Sequence, residues 1–129
     1  MLIEFSVSNF RSIRETLTLS TVASKYYTDL DETNCCASPV IGLPNLLKAA
    51  VVYGPNAAGK SNLFKALHFM QAFALHSHAH TEGARINVTP FALDETARDK
   101  PSEFEIFFVG EGVRYQFGFT VNQERIVKE

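Results

Sequence analysis

Gly54 is followed, after four residues, by Gly59-Lys60-Ser61, and the sequence on either side of this octad limits the fold more tightly than any other feature. Ahead of it, Ala49-Ala50-Val51-Val52-Tyr53 is a continuous apolar run of strand length, the pattern of a strand buried on both faces of a parallel or mixed sheet. Behind it, Leu63, Leu67, Met70 and Ala74 fall at helical spacing, joined by Ala66 and Phe73, which predicts an amphipathic helix of about four turns ending near His76. Each residue type in Gly54-Pro55-Asn56-Ala57-Ala58-Gly59-Lys60-Ser61 has a physical task. The glycines permit backbone angles that side chains forbid, so successive N–H groups turn inward and form an anion-binding nest at a helix N-terminus. Lys60 supplies a mobile point charge for the β- and γ-phosphates of a nucleoside triphosphate, and the Ser61 hydroxyl is placed to ligate a bridging Mg²⁺. With Asn62, these residues are the expected nucleotide site. A glycine-rich turn carrying a solvent-exposed lysine is the bland alternative, and the strand and helix patterns on either side weigh against it.

Strands are expected at both ends of the chain. From Leu2 to Ser8 the sequence alternates, with Ile3, Phe5 and Val7 on one side and Glu4, Ser6 and Ser8 on the other, and Leu17 and Leu19 repeat the pattern. The Asn9-Phe10-Arg11-Ser12 segment between them predicts an antiparallel hairpin. Residues 21–45, polar and broken by Pro39, Gly42 and Pro44, read as a long connection without a definite pattern. Phe104, Ile106 and Phe108 alternate again, Gly110-Glu111-Gly112 turns the chain, and Val113, Tyr115, Phe117, Phe119 and Val121 form the cleanest strand. A further turn at Asn122-Gln123 leads to a short strand at Arg125-Ile126-Val127. The expected fold is an α/β lobe, with antiparallel strands from residues 2–20 and 103–127 packed around a central strand at 49–53 and one main helix from Lys60.

With 129 residues, 46% of them hydrophobic and 20% charged, the chain has the length and composition of one globular domain. A net charge of −2 and a pI near 6.1 provide no long-range attraction to nucleic acid, so DNA contact through this segment's net charge is not expected. Cys35 and Cys36 are adjacent, a strained arrangement for a disulfide and one lacking the two-residue spacer of a metal or redox pair; free thiols in a reducing cytoplasm are expected. No membrane segment or signal peptide is expected, since no apolar run approaches the ~20 residues of a membrane helix and Met1-Leu2-Ile3-Glu4 lacks a basic start.

The segment from Asn45-Leu46-Leu47-Lys48 through Gly59-Lys60-Ser61-Asn62-Leu63 resembles the RecF/SMC/OLD-like branch of ABC-type ATPases. The opening Ile3-Glu4-Phe5-Ser6-Val7-Ser8-Asn9-Phe10-Arg11-Ser12-Ile13 is similar to the same branch's first strand and Asn-Phe-Arg-Ser turn. The later Phe104-Glu105-Ile106-Phe107-Phe108 and Tyr115-Gln116-Phe117-Gly118-Phe119 strands resemble the stand-alone bacterial ATP-binding proteins of this branch, many found beside nucleases in phage-defence cassettes. The resemblance implies ATP and Mg²⁺ as cofactors, a homodimer or higher oligomer formed through the heads, and a partner that is DNA or an effector such as a nuclease, in defence or repair. It also places Arg11 near the nucleotide, a role that competes with that of a solvent-exposed turn arginine. Heads of this family hydrolyse ATP as dimers, using a Ser-Gly-Gly signature and a Walker B strand ending in Asp-Glu. No Ser-Gly-Gly occurs here, and Leu93-Asp94-Glu95 has only a short apolar lead-in. The expectation is therefore the N-terminal part of one ATP-binding domain, incomplete at its C-terminus, with no catalytic residue within the segment.

Other candidates have plainer readings. Tyr26 and Tyr27 could stack on adenine, although tyrosines in an irregular connection more often patch a core edge. His76, His78 and His80, with Glu82, have a spacing that could surround Zn²⁺, but a solvated histidine-rich helix end is the better expectation. Two further functions compete: a small-molecule P-loop kinase or GTPase-like enzyme, and an interaction module with a vestigial loop. Antiparallel strands on both sides of the loop disfavour the first, and intact Lys60 and Ser61 the second.

Overall fold

The computed structural model describes residues 1–26, 29, 31–56, 59–76 and 85–129. Strand β1 (Leu2–Ser8) pairs antiparallel with β2 (Leu17–Ser20), as the alternation predicts. The turn between them is tight, with Asn9 and Arg11 at φ 51° and 52° and Phe10 bridged to Ile13. Asparagine tolerates that left-handed backbone better than most residues. Strands β5 (Ser102–Gly110) and β6 (Val113–Val121) form a long hairpin whose two turn residues, Glu111 and Gly112, both have positive φ. That is the turn geometry whose twist matches the flanking strands. With β7 (Ile126–Lys128) they complete a five-stranded, all-antiparallel sheet in the order β2-β1-β5-β6-β7.

Helix α2 (Lys60–His76) covers one face of this sheet. Its buried residues are Leu63, Ala66, Met70 and Phe73, with Phe69 and Leu67 partly buried. Ala74, expected on the apolar face, is exposed instead: the stripe runs 63, 66, 70, 73, and the bulk of Phe69 rather than Ala74 fills its flank. Beneath the helix, Phe5, Val7, Phe104, Phe119 and Val121 make the sheet's contribution to the core. The rings of Phe73 and Phe119 stand 4.6 Å apart and those of Phe69 and Phe104 5.1 Å apart.

Among the described residues, the opposite face is covered at one end. A bulge between Leu2 and Glu4 shifts the register of β1 against β5, so Leu2 packs with Phe5 and Val7 while Ile3 joins a second cluster with Leu46 and Val109. Ile3 thus parts from Phe5 and Val7, with which strict alternation had grouped it, because the extra residue of a bulge breaks the period-2 rule. The connection at 21–45 supplies the cover. It contains the short helix α1 (Asp31–Asn34) and strand β3 (Cys35–Cys36), which pairs with β4 (Leu46–Leu47), and it brings Val22, Val40 and Leu43 onto the second cluster.

The expected central strand at 49–53 does not form. These residues have no regular secondary structure, with Val51 86% and Tyr53 91% exposed and Val52 alone reaching the core. A strand buried on both faces needs hydrogen-bonded neighbours on either side, and none of the described strands lies beside it. Among the described residues no helix is long and apolar enough to cross a membrane.

Candidate phosphate-binding site

The site begins where the unpaired run ends. Gly59 has φ +86°, a conformation that L side chains rarely adopt, and the next residue opens α2. The amides of Asn62 and Leu63 both turn back onto the Gly59 carbonyl, at 2.8 and 3.3 Å, closing the first turn of the helix. The Lys60 ammonium folds back over the loop and donates to the carbonyls of Gly54 (2.6 Å) and Pro55 (2.7 Å). Both contacts are solvent-exposed, so the cation sits at the mouth of the loop. Ser61 is exposed on the first turn beside it. Gly54, Pro55, Asn56, Gly59, Lys60, Ser61 and Asn62 are thus gathered at one helix N-terminus, while Ala57 and Ala58 lie outside the described residues. A positive-φ glycine, a helix start and a lysine at the loop mouth are the parts that a phosphate chain requires.

The turn at residues 9–13 stands against this helix start. Asn62 Nδ2 donates to Ser12 Oγ at 2.7 Å, and a Cβ placed on Gly59 would lie 3.1 Å from the same oxygen. Arg11 is exposed, its amide donates to the Thr89 carbonyl, and its guanidinium lies 5.5 Å from the Phe10 ring centroid. Ser12, rather than Arg11, therefore makes the hydrogen bond between this turn and the loop's exit. Asn9 anchors the turn from below. Its buried Nδ2 donates to the carbonyls of Ala97, Lys100 and Pro101, and its Oδ1 accepts from the Phe91 amide. Sequence reasoning assigned no role to Ser12 or Asn9, although both lie in the Asn-Phe-Arg-Ser segment.

Asp94 and Glu95 are not at the end of a buried strand. Leu93 is 90% exposed, and Asp94 is the N-cap of the short helix α3 (Glu95–Arg98), accepting from the Thr96 amide at 2.9 Å and its hydroxyl at 2.8 Å. Those two hydrogen bonds, with Arg14 2.6 Å away, hold its carboxyl below the usual carboxylate range. Cys35 is a buried free thiol, and burial, followed by its contact with Asp31, pushes its pKa up. Tyr26 is exposed and Tyr27 lies outside the described residues, as do His78, His80 and Glu82; His76 ends α2 exposed to solvent. Among the described residues no group of histidines, cysteines or carboxylates could hold a metal ion.

Residues 49–129 match a family model described as "AAA domain, putative AbiEii toxin, Type IV TA system". No curated protein and no solved structure matches the chain. The match starts at the unpaired apolar run, takes in the whole loop and helix, and extends through the β5–β6 hairpin, covering well over half of the sequence. The chain belongs to this AAA domain family, and its Gly54–Ser61 segment lies in a P-loop nucleotide-binding domain.

Proposed function

We propose that the chain is the ATP-binding half-site of an ABC-type ATPase head of the RecF/SMC/OLD-like branch, which uses nucleotide-driven dimerisation to control a partner effector. The observation that carries this reading is the Lys60 ammonium at the loop mouth, beside a helix start preceded by a positive-φ glycine. In this reading the backbone of the loop and Lys60 hold the phosphates, Ser61 ligates Mg²⁺, and the turn carrying Arg11 flanks the site. The all-antiparallel sheet supports it over a small-molecule kinase or GTPase-like enzyme, for which a parallel sheet is the rule. The family description, with its type IV toxin–antitoxin system, supports a defence role over a housekeeping one, and a protein partner such as a nuclease is part of the proposal. The Ser-Gly-Gly signature and a strand-borne Asp-Glu pair do not occur in the sequence, so hydrolysis would draw on groups beyond these residues.

The test is calorimetric titration of Mg-ATP into the chain and into Lys60→Ala. Hydrogen bonds to charged groups contribute about 1.5–3 kcal/mol, so the variant should bind at least tenfold more weakly. Equal affinity in the two proteins would remove the basis for the reading.

A further inference from the structure

We infer that Ser12 is a positioning residue for the nucleotide site: through Asn62 it fixes where the exit of the phosphate loop stands relative to the N-terminal hairpin. The inference rests on the nucleotide reading of the loop and adds to it a side chain from a distant part of the sequence. Two independent observations bring Ser12 to this point. Its Oγ accepts from the Asn62 side-chain Nδ2 at 2.7 Å, and the same oxygen is the nearest atom that a Cβ on Gly59 would meet, at 3.1 Å. Ser12 therefore bonds the residue after Lys60 and Ser61 and stands where a side chain on the residue before them would lie.

The support beneath Ser12 is anchored by hydrogen bonds and burial. Asn9 is tied by four hydrogen bonds to residues 91–101, Phe10 and Ile13 are buried, and the Arg11 amide is held by the Thr89 carbonyl. The turn also grips α2 a second time, two helical turns further on, where the Phe10 and Phe69 rings stand 5.8 Å apart. That aromatic contact, joined by Phe104, lies in the core and docks the helix. The Ser12–Asn62 bond is exposed and adds little to docking, but it lies at the first turn, where a sub-ångström displacement moves Lys60 and Ser61 relative to a bound phosphate. Gly59 allows the close approach: any side chain there would meet Ser12 Oγ as well as strain the backbone.

The experiment measures Mg-ATP affinity and melting temperature for the parent, Ser12→Ala, Asn62→Ala, the double variant and Ser12→Thr, with Lys60→Ala as the reference for loss of the site. Each single alanine variant is expected to weaken binding about three- to tenfold, the double variant no more than the weaker single, and Ser12→Thr to bind like the parent, with melting temperatures nearly unchanged. Parent-like affinity in Ser12→Ala, or effects of the two alanines that simply multiply, would overturn the inference while leaving the nucleotide reading intact if Lys60→Ala still loses binding. A lowered melting temperature with unchanged affinity would assign the contact to stability alone and also overturn it. Absence of ATP binding by the parent would overturn the nucleotide reading on which it depends.

Discussion

Asp94 and Cys35 show how local surroundings set the chemistry of single residues in this chain. The Thr96 hydroxyl and amide favour the Asp94 carboxylate, so its folded-state pKa is depressed; its contribution to stability is present at neutral pH and fades as acid protonates it. The Cys35 thiol is shifted the other way by burial and by the Asp31 carboxylate, which leaves less thiolate at a given pH. Single-cysteine variants therefore separate: at pH 8, Cys36→Ser, which retains Cys35, should be alkylated by iodoacetamide several-fold more slowly than Cys35→Ser, and the gap should narrow as pH rises. Mass spectrometry of timed samples reads both rates, and faster labelling of Cys35 would contradict the shift. At the proposed phosphate site, Ser61→Ala should weaken ATP binding in Mg²⁺ and have little effect in EDTA if, as proposed, its hydroxyl acts through the metal. The same loss in both buffers would remove Ser61 as the metal ligand. Lys60 and Ser61 were legible in the sequence because glycine spacing announces a special backbone. The Ser12–Asn62 bond was not, since a contact between residues 50 positions apart leaves no local pattern.

Periodic elements were read well where periodicity was the cause of structure. Hairpin β5–β6 has alternating apolar residues, a glycine-bearing turn and a pairing register that follows from both. Helix α2 was placed within a residue of its observed ends, although its packing face includes Phe69 and leaves out Ala74. The run at 49–53 shows the limit: an apolar segment announces that it could be buried but not what would bury it. The aromatic seam between α2 and the sheet is the element-scale feature with the clearest energetic consequence. Phe119 is 4% exposed and its ring lies within 6.4 Å of those of Phe69, Phe73, Phe104 and Phe117. Phe119→Ala should cost about 3–5 kcal/mol in urea-unfolding free energy, a large part of what a domain of this size has. A loss below ~1 kcal/mol would show that the seam is not a close-packed core.

At the scale of the whole molecule, the sheet divides its labour between two faces. One carries the helix that presents Lys60 and Ser61, and the other is covered at one end by residues 21–47. Holding phosphates differs from cleaving them, because transfer to water also needs a group to orient the attacking water and charge set against the leaving oxygen. These 129 residues should therefore release no phosphate from ATP above the rate of Lys60→Ala. Robust release by the parent that is lost in the variant would place a full catalytic set within them. The strand order also bears on how the chain is made. β1 lies between β2 and β5, and even the pair of their contacts nearest in sequence, Ser8 and Glu103, is separated by 95 positions. During synthesis the first hairpin must therefore leave the ribosome long before its central neighbour exists, with one edge of β1 unpaired until β5 emerges. Nascent chains stalled ahead of β5 should be the species that chaperones hold.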